Sequence, residues 1–372
     1  MFPQNNIVLI GNSIVEQSKS LAHLNKRIIN IDSFNDEDIV GEKYINPNPH
    51  GIVNDSVITI LKSLKLDNDD TLIVVSSEYS REKNYYNELS LYGKVIGNNQ
   101  KIISILKDFK KLSKALKKQN INFPDIYLTA KDETNNILIK NSYASGGFGV
   151  KKYKKHLESL CEDEYYQKYI QGQEYSILFI SNKKKKFEII GINKIYNKKT
   201  SYTDFCFSGA MSDVELNNKQ LEYLTKTISF FVNNYNLIGI NGIDFILTDK
   251  IYFLEINPRI TQTCFMYDNI FKYGFVEAHI RSVLDNDLSV DKNKSLSIKC
   301  FENLFSNNTS VVDTHLNEFD FVSNIPKINK YIGTGEPICT INAKSSDEKK
   351  VKKILLDNIS LVKNKLKNIE II

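Results

Sequence analysis

The sequence predicts a chain built in two α/β styles, an open parallel-sheet domain followed by antiparallel α+β lobes. Three observations carry this. Short apolar runs at 7–10, 27–32 and 71–77 alternate with helical segments. A strand at 137–142 runs into a glycine-rich turn and is followed by strands at 165–180 and 187–196. Two further strands, 241–248 and 250–257, meet at Asp249-Lys250 as a hairpin.

The elements follow in order. IVLI (7–10) ends in Gly11-Asn12-Ser13 and leads into a helix reaching about Leu24, and RIINID (27–32) is a second strand. A helical period around 57–64 precedes the strand TLIVVSS (71–77). This β-α-β rhythm reads as a Rossmann-type sheet over 1–98. Dinucleotide binding is not expected, because Gly11 stands alone and no G-x-G-x-x-G follows the first strand. Residues 100–120 have the spacing of one helix, ending near INFP (121–124). A helix over 217–235 places Leu221, Leu224, Ile228 and Phe231 on one face. A strand at 336–343 and a lysine-rich helix at 347–367 close the chain, and 285–295 is its one linker-like polar stretch.

Composition narrows the function classes. At 372 residues the chain exceeds one simple core and suggests two or three domains. Its 41% hydrophobic and 25% charged residues are an ordinary globular balance. No apolar run reaches the roughly 18 residues of a membrane span, and the start lacks the basic region of a secretion signal, so a cytoplasmic protein is expected. Cysteines 161, 206, 264, 300 and 339 are scattered and odd in number, which suits free thiols, and no zinc spacing is present. The net charge of +5 does not call for nucleic acid. The lysine runs at 151–155 and 183–186 read as solvated faces. Only Arg27, Arg81, Arg259 and Arg281 are arginine among many lysines, a hint that a planar fork is needed where one persists.

Chemistry concentrates in three segments. In the hairpin Asn241-Gly-Ile-Asp244-Phe … Phe253-Leu-Glu255-Ile-Asn257-Pro-Arg259, alternation puts Glu255, Asn257 and Arg259 on one face, with Asp244 in cross-strand reach. Two acids and an amide oxygen form a hard-oxygen site suited to Mg²⁺, which prefers to share its shell with phosphate oxygens. Ile243, Phe245, Phe253, Leu254 and Ile256 would form the buried wall. In the second segment a strand delivers Lys140, and the loop with Ser145, Gly146, Gly147 and Gly149 offers backbone N–H groups to phosphate, although it is no Walker A loop. The third runs through Gln167, Lys168, Ile170, Gly172 and Glu174, and alone reads as a strand edge.

In this order the three segments, strand-lysine-glycine loop, then K-x-I-x-G-x-E, then G-I-D-F … E-I-N-P-R, resemble the ATP-grasp superfamily over about residues 100–290. The resemblance implies two α+β lobes clasping ATP behind a Rossmann-like domain: a linker helix and lid lobe at 99–172, a catalytic lobe at 173–290 and a C-terminal subdomain at 291–372. It implies that Lys140 contacts the nucleotide phosphates under a flap of Ser145, Gly146, Gly147 and Gly149. Lys168 and Ile170 would meet adenine through their backbone, beside Gln167, where many members carry an acid, and Glu174 would bind the ribose. Asp244, Glu255 and Asn257 would ligate Mg²⁺, with Mn²⁺ as a substitute, and Arg259 would stabilise the acyl phosphate or the tetrahedral intermediate. A further lysine contact falls to Lys107 or Lys110. The implied activity is a carboxylate–amine ligase that releases ADP and phosphate, acting on small molecules, with no nucleic acid or membrane partner and with room for a homodimer. Residues 7–32 and GEPICTINA near the end are similar to a methanogen and methylotroph subgroup containing tyramine– or tyrosine–glutamate ligases of methanofuran and methylofuran synthesis. For those substrates, Arg281 or a lysine near the 201–212 loop would anchor glutamate, and Tyr202, Phe205, Phe207, Phe265 and Tyr267 would wall an aromatic amine. The rival readings are a bicarbonate-using carboxylase akin to biotin carboxylase, and a non-catalytic nucleotide sensor.

Overall fold

The computed structural model describes residues 2–48, 51–127, 129, 136–154, 160–288, 290–291 and 297–372. Lys155 of the first lysine run and parts of the polar stretch 285–295 lie outside the described residues.

The N-terminal segment holds β1 (Asn6–Ile10), α1 (Val15–Ser20), β2 (Arg27–Asp32), β3 (Glu42–Ile45), α2 (Asp55–Leu64), β4 (Thr71–Val75), α3 (Tyr85–Leu89) and β5 (Lys94–Ile96). Its sheet is parallel throughout, in the order β3-β2-β1-β4-β5. The inner strands β1 and β4 are almost continuously apolar because both faces are covered. Ile7 and Leu9 pack into the cluster with Phe271 and Phe275, while Val8 and Ile10 pack with Val57 and Leu61 of α2. The short strands β3 and β5 escape the sequence reading, since EKYI and KVI are too brief and polar to stand out. Strand order reverses between β1 and β4, which opens a crevice at their carboxyl ends.

The expected helix over 100–120 is two helices, α4 (Gln100–Lys107) and α5 (Phe109–Lys118). Asp108 breaks it, because its side chain caps α5 by accepting the Lys111 N–H at 3.1 Å. A small antiparallel sheet follows, with β6 (Ile126–Tyr127), β7 (Ile137–Asn141), β8 (Val150–Lys152) and β9 (Glu164–Lys168) in the order β6-β9-β7-β8.

The expected strand 165–180 divides between sheets. Its first part is β9, and its second part, β10 (Gln173–Ser181), begins an eight-stranded sheet. That sheet continues through β11 (Phe187–Lys198), β12 (Cys206–Met211), α6 (Asn218–Tyr235), β13 (Gly239–Leu247), β14 (Ile251–Asn257), a 3₁₀ segment (Gln262–Ile270) and α7 (Phe275–Leu284). The region expected as a loop at 201–212 contains β12. Then come β15 (Ile298–Phe305), β16 (Ser310–Val311), β17 (Val322–Ser323), β18 (Tyr331–Ile332), β19 (Pro337–Ser345) and α8 (Glu348–Lys365). The order is β14-β13-β10-β11-β12-β15-β19-β17, so strands after residue 297 extend the same sheet, with a hydrophobic cluster of their own under α8. Among the described residues no helix is long and apolar enough to cross a membrane.

His279 of α7 is buried where α7 meets β13 and β5. Its Nδ1 accepts the Ile240 N–H at 2.9 Å, and Gly239, at φ +75, leaves no room there for a side chain. Burial pushes its pKa from 6.5 down to about 4. The unfolded chain therefore takes up a proton that the folded chain refuses, and this group's stabilisation, present above pH 6.5, is lost as pH falls toward about 4. Between those limits the wild type should lose about 3 kcal/mol more unfolding free energy than His279→Asn, as measured by denaturant titration. Equal losses would contradict this.

Candidate active site

The hairpin of β13 and β14 places its acids opposite each other, with Asp244 paired to Glu255 and Gly242 to Asn257. The register shifts between Asp244 and Phe245, so Leu254 is an extra residue on β14. A bulge re-aims side chains, and here Leu254 turns into the cleft beside Glu255 rather than joining the buried wall. Ile243, Phe245, Phe253 and Ile256 do form that wall. Asn257 Nδ2 donates to Asp244 Oδ2 at 2.8 Å, which leaves the amide oxygen for another partner. Burial and the neighbouring Glu255 carboxylate hold the Asp244 pKa far above the usual carboxylate range. Burial would also raise Glu255, but Lys107 and Lys140 outweigh it and keep this group ionised. Two carboxylates close enough to compete for one proton, beside a free amide oxygen, fit a hard divalent cation.

A cleft of about 380 Å³ runs from this hairpin past the glycine loop to the crevice at β1 and β4. It is lined by Lys140, Ser145, Gly146, Gly147, Gly149, Gln167, Lys168, Ile170, Glu174, Asp244, Glu255, Asn257 and Arg259, whereas Gly172 of the third segment stays outside it. The loop between β7 and β8 is docked on the large sheet. Gly146 O accepts the Phe207 N–H at 3.1 Å, and Thr203 Oγ1 donates to Gly147 O at 2.9 Å. Gly147, at φ +83, lies so close to Phe205 O that a side chain would collide with it. At the far end, Glu174 Oε2 accepts from Asn197 Nδ2 at 2.7 Å, and burial raises its pKa. The Lys168 N–H is already donated to Asp125 O, so only its carbonyl is left to meet a base. Gln167 is 1% exposed, and its Nε2 has no hydrogen-bond partner, a donor buried at the cleft wall.

Glu78, just after β4, was missed by the sequence reading. Its Oε1 lies 3.2 Å from Lys107 Nζ and 3.3 Å from Arg259 Nε, so it ties the N-terminal domain to both cations. Burial alone would raise its pKa, but Lys107 and Arg259 together pull it below the usual range. The Lys107 contact is a charge contact without an aligned hydrogen bond. Burial would lower the Lys107 pKa, but Glu78 and Glu255 raise it, so the lysine stays charged beside the Glu255 carboxylate. Lys110 points elsewhere and donates to Glu162 O at 3.0 Å. A lone acid after a short strand carries no local motif; only the pairing of β4 beside β1 exposes it.

Other expectations need correction. Arg281 is no cleft anchor, since its guanidinium bonds Glu277 at 2.6 Å and stacks on Tyr273. Near the 201–212 segment, Lys198 is held by Glu302 and Lys199 by Asp204. Phe205 and Phe207 line the cleft, but Tyr202 is exposed and Phe265 packs against Phe301. Tyr267 is core, its hydroxyl donating to Asn193 Oδ1 at 2.8 Å and its ring filling the space above Gly191.

The fold is the ATP-grasp fold. Residues 107–263 match the ATP-grasp domain family. Over 350 residues it is 27% identical to an uncharacterized protein of Methanocaldococcus jannaschii, a match covering 88% of this chain and 85% of that protein. Among solved structures it is similar to the pyruvate carboxylase of Rhizobium etli, with a TM-score of 0.73, 13% identity and 100% of this chain covered, but it spans only 38% of that enzyme's chain. It is also similar to the L-amino acid ligase of Bacillus licheniformis, with a TM-score of 0.70 and 11% identity over 100% of this chain and 99% of that one. At these identities the two structures speak for the fold alone.

Proposed function

We propose that this protein is an ATP- and magnesium-dependent ligase that activates a carboxylate as an acyl phosphate and joins it to an amine. The observation that carries the reading is one cleft in which Asp244, Glu255 and Asn257 face Lys140 and Arg259 beneath a glycine loop. Phosphoryl transfer to a carboxylate brings two anions together, and their repulsion must be offset by fixed positive charge. Lys140 supplies it from β7 and Arg259 from the segment after β14, and Glu78 with Lys107 holds Arg259 in place. Asp244, Glu255 and Asn257 would hold Mg²⁺, or Mn²⁺ in its stead; the ion would neutralise phosphate oxygens. Ser145, Gly146, Gly147 and Gly149 close over the phosphates and exclude water that would hydrolyse an acyl phosphate. The base would lie along Gln167, Lys168 and Ile170, where the unpaired Gln167 Nε2 meets a purine ring nitrogen, and Glu174 takes the ribose. In this reading 99–172 is the lid lobe and 173–290 the catalytic lobe, between the N-terminal domain at 1–98 and a C-terminal subdomain at 291–372.

The expected products are ADP and phosphate, because the metal acids and the loop are aimed at the terminal phosphate. Coupled ADP assays across a panel of amino acids and amines test this. AMP with pyrophosphate as the coupled products would overturn it, and a bicarbonate requirement would favour the carboxylase instead.

The finer reading takes glutamate as the activated acid and tyramine or tyrosine as the amine. Phe205 and Phe207 in the cleft support an aromatic partner. With Arg281, Lys198 and Lys199 committed elsewhere, glutamate's second carboxylate would have to be met by the cleft's own cations.

A further inference from the structure

We infer that the end of the cleft at the β1–β4 crevice is an ammonium subsite, in which Asn12 and Glu16 accept hydrogen bonds from the protonated amino group of a substrate and Gln17 orients it. The inference rests on the ligase reading and adds the class of group that this part of the cleft takes.

Location is the first support. Ligands of open parallel sheets settle outside the carboxyl ends of the strands where strand order reverses. Residues 12–17 leave β1 there and 76–78 leave β4, and both segments line the same cleft as Arg259 and Thr261. The second support is unmet hydrogen-bonding capacity. Asn12 Oδ1 is buried without a partner. Gln17 is 6% exposed, lines the cleft, and its side-chain amide forms no hydrogen bond among the described residues. Buried polar groups are normally paired, so an unpaired acceptor and amide at a cleft wall point to a ligand.

The sign of that ligand follows from Glu16. Its nearest cation, Lys19 Nζ, is 3.6 Å away but is held more closely by Asp38 at 2.7 Å. Burial raises the Glu16 pKa despite Lys19, the behaviour of a carboxylate short of counter-charge. An anionic group would be repelled by Glu16 and has no proton for Asn12 Oδ1, while a neutral hydroxyl would leave the Glu16 charge uncompensated. An ammonium satisfies both. The edge is already in place, since Ser13 Oγ donates to Asn324 Oδ1 at 2.7 Å and Asn324 Nδ2 to Thr340 Oγ1 at 2.7 Å. The cleft's cations come from other walls, Lys140 from β7 and Arg259 from beyond β14.

The test is calorimetric titration of the full chain loaded with Mg²⁺ and the non-hydrolysable analogue AMP-PCP. The probes are the common amino acids and tyramine, each paired with its des-amino isostere, such as glutarate for glutamate and 4-ethylphenol for tyramine. At least one amine should bind, with its des-amino partner about thirtyfold weaker, and Glu16→Gln should weaken that amine about tenfold while AMP-PCP affinity stays within about twofold. Des-amino partners binding as tightly, an amine indifferent to Glu16→Gln, or no amine binding at all would each overturn the subsite. Failure of AMP-PCP to bind would instead sink the ligase reading, and the subsite with it.

Discussion

Glu255→Gln should cut ATP turnover by roughly a thousandfold or more while the protein stays folded. The substitution keeps shape and volume, and Phe253 and Ile256 beside it remain in the core, so the hairpin has no reason to unravel. What changes is charge. Glu255 is the group that Lys107 and Lys140 keep ionised, and Asp244 next to it is pushed strongly toward its neutral form. Removing the Glu255 charge leaves the site with its weaker acid and an amide, too little to hold a divalent cation against water. Steady-state ADP release, with thermal melting as the control for folding, reads the result. A near-normal rate in a folded variant would make the hairpin structural and the proposed chemistry wrong.

Arg259→Lys should cost about a hundredfold, mainly in kcat. The guanidinium is fixed on one side by Glu78, 3.3 Å from Nε, and by Ile260 O, 3.3 Å from Nη1, which leaves the rest of the fork for the cleft. Lysine has a single nitrogen. It can keep the ion pair with Glu78 and so preserve stability, but it cannot also reach the reacting oxygens in a fixed plane. Kinetics on the folded variant separate these roles: a rate within tenfold of wild type would make Arg259 only a partner for Glu78. The four arginines of the chain bear out the hint in part. Each sits in an ion pair that suits a fork: Arg27 with Glu42, Arg81 with Asp163, Arg259 with Glu78 and Arg281 with Glu277. Only Arg259 lines the large cleft.

The parts of this protein that were legible in its sequence are those whose chemistry is local. Alternation along 250–257 is enough to put Glu255 and Asn257 on one face, because a strand has a period of two whatever it packs against. The lysine and glycine loop, and the apolar runs of β1, β2 and β4, are likewise written in a few neighbouring residues. Tertiary structure decided everything that depends on which strands lie side by side. It divided 165–180 between two sheets, made β12 out of an expected loop, and turned Leu254 into the cleft through a bulge. It moved Arg281 and Tyr267 out of the site, since a long-range partner fixed each one: Tyr267 by Asn193, and Arg281's helix by its packing on the sheet. It also brought Glu78 to Lys107 and Arg259, and residues 12–17 to the far end of the cleft. Those contacts join residues far apart in the chain, and no period or spacing encodes them. They exist because the β1–β4 crevice of one sheet is pressed against the β13–β14 hairpin of another, which only burial of the shared core can specify.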